Sequence, residues 1–282
     1  MIRIAAAGDL HVGADSEGTL RGAVTDIARD VDAILLAGDL TKAGFEEEAQ
    51  VLAHELEGAG VPMIAVLGNH DLHSDQADRV RGCLEDAGVV ILEGETHVVR
   101  VPGASLGIAG IRGFGGGFAG ASATEFGEPE MKRFVRVTVD AASALRSCLE
   151  GLETDVRVAL LHYSPVRDTL HGEPPEIYPF LGSYLLAEAV DTAGCDLVLH
   201  GHAHRGTEWG ITPGGVPVRN VAQPVIRRAF AVYSLDPQTR LARSGSHPRE
   251  LRPEPGVDAW TTACGVTTRV TKEGGRDEPD TR

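Results

Sequence analysis

Residues 2–11 read Ile-Arg-Ile-Ala-Ala-Ala-Gly-Asp-Leu-His, an apolar run that ends in a glycine, an acid and, two residues on, a histidine. A short apolar run bounded in this way reads as a buried strand, here Ile2–Ala7. The pattern returns twice. Ala33–Ala37 (AILLA) runs into Gly38-Asp39, and Met63–Leu67 (MIAVL) runs into Gly68-Asn69-His70-Asp71. Asp9, Asp39 and Asn69 are therefore spaced by 30 residues each. Each interval has room for one helix, Thr19–Arg29 and then Phe45–Leu56, with a third over Gln76–Ala87. Strands alternating with helices predict a sheet covered by helices on its faces, each crossover bringing the chain back to the same sheet edge.

Working outward, further strands are expected at Val89–Leu92, Val98–Val101, Leu106–Ile111, Val156–Leu161, Leu197–Leu199, Val216–Val221 and Phe230–Leu235. Further helices are expected at Ala141–Leu149 and Tyr184–Ala193. The fold class is α/β, a four-layer or sandwich-like fold with mixed sheets whose strand order is not readable. Gly113–Glu130 (GFGGGFAGASATEFGEPE) reads as a long glycine-rich loop, whose part around Gly113–Phe118 could cover a pocket or be a mobile surface loop. Residues 1–236 form the domain. Residues 237–282, rich in Pro, Gly, Arg and Glu, read as a loosely structured tail in which Thr267–Lys272 could add one strand.

Composition narrows the function. The 282 residues are 42% hydrophobic and 24% charged, an ordinary globular balance. No apolar run approaches the ~20 residues of a membrane span. The apolar stretch before Asp9 is too short for a signal-peptide core, so a cytoplasmic location is expected. Cys83, Cys148, Cys195 and Cys264 are far apart and read as free thiols. The net charge is −15, with −16 carried by residues 1–236 and the remainder near neutral. Such a surface disfavours nucleic acid and acidic membranes. A phosphate substrate would need a local cationic centre, which metal ions can supply.

Metal-ligand residue types recur at the carboxyl ends of the expected strands, where α/β sheets bind their ligands. They are Gly8-Asp9-Leu10-His11, Gly38-Asp39, Gly68-Asn69-His70-Asp71, a single His162 after Val156–Leu161, and Gly201-His202-Ala203-His204. Carboxylate, amide and imidazole donors suit Mn²⁺, Fe²⁺/³⁺, Zn²⁺, Co²⁺ or Ni²⁺ better than a thiolate site would. One Asp39 carboxylate can bridge two ions ~3.5–4 Å apart. Glycines at 8, 38, 68 and 201 remove bulk where the backbone must turn beside the ions.

GDLH, GDLT, GNHD, a lone His and GHAH, in this order from Asp9 to His204, resemble the calcineurin-like metallophosphoesterase superfamily. The resemblance implies a four-layer α/β/β/α sandwich with two mixed sheets, and one divalent metal held by Asp9, His11, Asp39 and His204. It implies a second held by Asp39, Asn69, His162 and His202, with His70 as the catalytic imidazole beside the leaving oxygen. A water between the ions, deprotonated by them, would attack phosphorus in line. The implied enzyme is a metal-dependent phosphodiesterase or phosphomonoesterase with a small nucleotide-like or lipid-linked substrate.

The alternatives carry specific features. Phosphoprotein phosphatases of this superfamily have an Asp-Arg pair shortly after the second motif, where this chain reads Leu-Thr-Lys-Ala-Gly. DNA exonuclease relatives add a capping domain and basic surfaces, absent from this acidic sequence. A non-catalytic metal-binding scaffold would be expected to have lost ligands. Other polar residues have plainer readings. Asp71 could orient His70 or cap a helix. His200 should point away from the ligands, and His73 and His171 read as surface residues. Tyr178 and Phe180 could stack on an aromatic leaving group or pack in the core. Arg112 and Arg167 are candidate phosphate contacts.

Overall fold

Buried strands arise where the sequence is apolar on both alternating faces. In the computed structural model, which describes residues 1–238, every short apolar run named above is a strand. The tail, with Thr267–Lys272 and Cys264, lies outside the described residues. In chain order the elements are β1 (Ile2–Ala7), α1 (Arg21–Ile27), β2 (Ala33–Ala37), α2 (Glu46–Leu56), β3 (Met63–Val66), α3 (Ala77–Asp86), β4 (Val89–Ile91), β5 (Glu95–Val101) and β6 (Ala104–Gly110). A small hairpin, β7 (Gly117–Phe118) and β8 (Ala121–Ser122), leads to α4 (Pro129–Glu150) and β9 (Val156–Leu160). Then come α5 (Tyr178–Leu181), α6 (Tyr184–Ala193), β10 (Leu197–His200), β11 (Trp209–Ile211), β12 (Pro217–Asn220), α7 (Gln223–Ile226) and β13 (Ala231–Leu235).

Two sheets form. The first has the order β13-β1-β2-β3-β4, parallel except for β13. The second has the order β11-β12-β10-β9-β6-β5, parallel within and antiparallel at both edges. Ile2, Ile4 and Ala6 of β1 point into the layer between the sheets, where they meet Leu106, Ile108, Val158, Leu160 and Leu199 of the second sheet. Ala5 and Ala7 point the other way, to a layer filled by Val24, Leu52, Leu56, Val80 and Leu84 from α1–α3. On the far side, Ala142, Leu145 and Leu149 of α4 and Leu186 and Val190 of α6 cover the second sheet. The α/β/β/α sandwich with two mixed sheets is thus the observed fold.

The main departure lies at α4. The sequence predicts a loop to Glu130 and a helix only from Ala141, whereas the helix starts at Pro129 and runs 22 residues. Val135, Val137, Thr138 and Val139 hide it, because β-branched residues carry little helical preference. Tertiary packing decides instead: Val135, Thr138, Ala142, Leu145 and Leu149 form one buried stripe at helical spacing. Pro129 suits the first turn, where its missing N–H is not needed. β11 was not expected; three residues give no periodicity to read.

The segment before α1 has no side-chain cap of its own. Glu55 of α2, only 1% exposed, supplies one across the layer. Its carboxylate accepts from the backbone N–H groups of Gly18, Leu20 and Arg21, each at 2.7 Å. Burial alone would raise its pKa, but these donors, with the charge of Arg21, hold it below the usual glutamate value. A carboxylate at a helix N-terminus is favoured by the exposed N–H groups and the helix dipole. Glu55→Ala should lower unfolding stability by about 2 kcal/mol in urea titrations, since it strands buried donors. The folded pKa lies below the unfolded value of about 4.3. Glu55 therefore contributes fully above that pH, and its contribution fades as pH falls through the folded pKa. The stability gap between wild type and Glu55→Gln should accordingly shrink from pH 6 to pH 3.

Candidate metal centre

The carboxyl ends of β1, β2 and β3 meet those of β9 and β10, and every sequence-expected ligand lies there. Asp9 and His11 follow β1, Asp39 follows β2 and Asn69 follows β3, while His162 follows β9, and His202 and His204 follow β10. The backbone turns out of the strands abruptly. Asp9, His11, Asp39 and His202 have φ of 56°, 45°, 49° and 71°, the left-handed region that non-glycine residues rarely enter. Such residues cost of order 1–3 kcal/mol each and persist where surrounding structure holds them. Here Asp9 N–H donates to Gly38 O at 2.8 Å, His11 N–H to Asp39 O at 3.1 Å, and Gly201 N–H to His162 O at 3.2 Å.

Two of the glycines act through close approach. A Cβ on Gly68 would collide with the Asp39 carboxylate, and one on Gly201 with the Asp9 carboxylate. Their absence of a side chain lets the loops from the two sheets interleave.

The side chains fall into two groups that share Asp39. Donor atoms of Asp9, His11, Asp39 and His204 lie within 4.8 Å of one another, as do those of Asp39, His162 and His202. In the first group His204 Nε2 is 2.7 Å from Asp9 Oδ1, His11 Nε2 is 3.4 Å from His204 Nε2, and His11 Nε2 is 4.0 Å from Asp39 Oδ2. In the second, His162 Nε2 lies 3.4 Å from Asp39 Oδ1 and 2.9 Å from Asn69 Oδ1, which brings Asn69 to the group. Carbonyls fix the imidazole tautomers, since a carbonyl only accepts. His162 Nδ1–H donates to Ala37 O at 2.9 Å, leaving the Nε2 lone pair facing Asp39. His202 Nε2–H donates to Phe180 O at 3.1 Å, leaving Nδ1 free.

The electrostatics favour a cation. Asp9 and Asp39 are 2% and 1% exposed, and among the described residues their only ion-pair partners are histidines. Burial pushes Asp9 up to about 6, with the Asp39 charge adding to it against the His204 hydrogen bond. Burial lowers His162 and His202 to about 3, and His11 to about 4. Their imidazoles are neutral at pH 7, with lone pairs available. The hydrogen bond to Asp9 instead raises His204. Buried carboxylates without lysine or arginine partners, beside the neutral His11, His162 and His202, are a donor set that fits divalent ions.

His70 stands beside both groups. Its N–H donates to Asp39 Oδ1 at 2.8 Å, and its ring is 4.5 Å from that of His11. Its Nδ1–H donates to Lys42 O at 2.7 Å, which leaves Nε2 as the free ring nitrogen. Asp71 neither orients His70 nor caps the following helix. It is fully buried and accepts from Gly68 N (2.7 Å), Thr41 N (2.7 Å), Thr41 Oγ1 (2.6 Å) and Leu40 N (3.2 Å), tying the loops after β2 and β3 together. His200 is buried away from the ligands against Gly201 O and Thr169 Oγ1. His73 and His171 are on the surface. Arg112 lies 4.0 Å from Glu93, and Arg167 lies over the Tyr178 ring at 5.7 Å. Part of the glycine-rich loop packs against residues 179–182 rather than lying free at the surface. Gly115, Gly116, Gly117 and Phe118 are buried, and Gly116 N–H and Gly117 N–H donate to Pro179 O and Gly182 O. The carbonyls of Ala37, Lys42 and Phe180 carry no residue-type signal, so the sequence could not reveal them.

A family model for calcineurin-like phosphoesterases matches residues 2–206. The chain belongs to the calcineurin-like phosphoesterase family, which sets phosphate-ester hydrolysis as its class of chemistry. Among its relatives is a probable cyclic nucleotide phosphodiesterase of Synechococcus sp., 36% identical over 80 residues. That match covers 25% of this chain and 31% of the relative. Among solved structures, the phosphopantetheinyl hydrolase of Mycobacterium tuberculosis superposes with a TM-score of 0.60 at 19% identity, covering 83% of this chain and 96% of that one. The protein TT1561 of Thermus thermophilus superposes with a TM-score of 0.50 at 19% identity, covering 82% and 98%. Both show the shared fold.

Gly68→Ala and Gly201→Ala should each displace an aspartate by about an ångström, enough to cost on the order of a hundredfold in phosphoester turnover. Elemental analysis should show less retained metal, while far-UV circular dichroism stays native.

Proposed function

We propose that this chain is a binuclear-metal phosphoesterase acting on a small nucleotide-like or lipid-linked phosphate ester. The observation that carries the reading is the pair of donor groups sharing buried Asp39, with no lysine or arginine pairing the two carboxylates among the described residues. Asp9, His11, Asp39 and His204 would hold one ion, and Asp39, Asn69, His162 and His202 the other. When bound, two divalent ions supply positive charge against the phosphate oxygens and an acidified water. That local charge lets a chain of net charge −15 hold an anionic substrate.

The chain's own residues do the rest. His70, anchored through Nδ1–H to Lys42 O, has Nε2 left for the leaving oxygen, to which it would donate a proton when both ring nitrogens carry one. Asp71 holds the loops that carry Asp39 and His70 at fixed separation. In the place of the Asp-Arg pair of phosphoprotein phosphatases the chain offers a backbone carbonyl, Lys42 O, and no arginine, which weighs against a phosphoprotein substrate. The Synechococcus relative supports a diester of nucleotide type. No helix among the described residues is long and apolar enough to cross a membrane, and a small-molecule substrate in the cytoplasm suits the acidic chain.

Hydrolysis of bis-p-nitrophenyl phosphate with added Mn²⁺ tests the reading. Turnover should vanish with chelator and return with metal. Lack of turnover with every divalent ion would refute it. His70→Ala should lower kcat by about 10²–10⁴-fold at unchanged metal content; an unchanged kcat would remove His70 from the chemistry.

A further inference from the structure

We propose that Phe180 is a specificity-determining residue, a platform on which an aromatic ester group of the substrate stacks while its phosphate sits at the metal centre. This rests on the phosphoesterase reading and names the substrate class it would serve.

Phe180 joins two properties. Its carbonyl accepts from His202 Nε2–H at 3.1 Å, so its backbone lies against the candidate centre. Its side chain is nevertheless 62% exposed, an unusual state for a phenylalanine in a short, tightly held segment. The segment is strapped on both sides. Gly116 N–H donates to Pro179 O at 2.6 Å and Gly117 N–H to Gly182 O at 2.9 Å, while Ser164 N–H donates to Leu181 O at 3.0 Å. The close approach of the strap depends on Gly115, where a Cβ would meet the carbonyl of Pro179 and the Cα of Phe180. The glycines thus fix where Phe180 stands.

The ring is also supported from behind. It meets Phe134 of α4 at 6.3 Å between centroids and 77°, an edge-on contact. Phe134 meets Phe114 at 5.1 Å, Phe114 meets Tyr163 at 5.6 Å, and Tyr163 meets the His202 ring at 4.4 Å. A continuous aromatic wall therefore runs from a candidate metal ligand to one exposed ring. With divalent ions bound at that centre, an aromatic ring whose own backbone carbonyl holds the candidate ligand His202 would recognise a phosphate ester with a flat, π-bearing substituent such as a nucleobase, since stacking accepts any base face. The exposed Trp209 lacks this placement. It lies on edge strand β11, stacked on Arg219 at 3.7 Å.

The test is equilibrium binding to the Mn²⁺-loaded full chain by calorimetry, with AMP and ribose 5-phosphate as probes. The two share the phosphate and the sugar and differ by the base. Wild type should bind AMP about tenfold more tightly than ribose 5-phosphate. Phe180→Ala should bring that ratio close to one, Phe180→Trp should keep it, and Trp209→Ala should leave it as in wild type. The proposal is overturned if the wild-type ratio is near one or neither probe binds. It is also overturned if Phe180→Ala keeps the ratio, as a purely structural role would, or if Trp209→Ala abolishes it. Turnover of bis-p-nitrophenyl phosphate by wild type, measured alongside, separates failure of this proposal from failure of the phosphoesterase reading.

Discussion

The Asp39 carboxylate is the constraint on which the rest of the structure depends. It is 1% exposed, belongs to both donor groups, and accepts the backbone N–H of His70. Burying one carboxylate is costly, and burying Asp9 beside it raises the cost by like-charge repulsion. The surroundings offer histidines and backbone N–H groups but no lysine or arginine ion pair among the described residues. Cations at this point would relieve that cost. Much of the local architecture follows from holding such a pair in place: four candidate ligand residues in left-handed conformation, two glycines that permit interleaving, and Asp71 pinning two loops.

The two-sheet core explains how this strain is tolerated. The strands that deliver the candidate ligands are interior in their sheets, β1, β2 and β3 in one and β9 and β10 in the other, and their side chains are packed on both faces. Close-packed interiors do not deform continuously, so the strand ends are held at fixed separation. The loops need only span short distances between rigid ends. Tautomers are then set from outside the donor groups, by the carbonyls of Ala37, Phe180 and Lys42. Partners of this kind orient metal-ligating histidines and tune their basicity.

Legibility in the sequence followed the physics. β1, β2 and α6 matched their expected ranges because apolar runs or periodicity were bounded by turn residues. The candidate ligand set was visible because carboxylates, an amide and imidazoles recur at strand ends, and the fold brings those seven side chains near one another. The first half of α4 was hidden by its β-branched residues, whose burial against the second sheet outweighs local preference. The function of Asp71 was hidden because its partners are backbone N–H groups from a loop 30 residues earlier. The glycine-rich loop looked mobile by composition, yet its glycines serve close packing against the segment that carries Phe180.

The central claim is that one buried aspartate joins two metal sites. The most direct measurement is metal stoichiometry by elemental analysis after dialysis, for wild type and Asp39→Asn. The account predicts about two divalent ions per chain in wild type, matching one ion for each of the two donor groups, and loss of both in the variant. A wild-type content of one ion or fewer, or a variant that retains both, would contradict it.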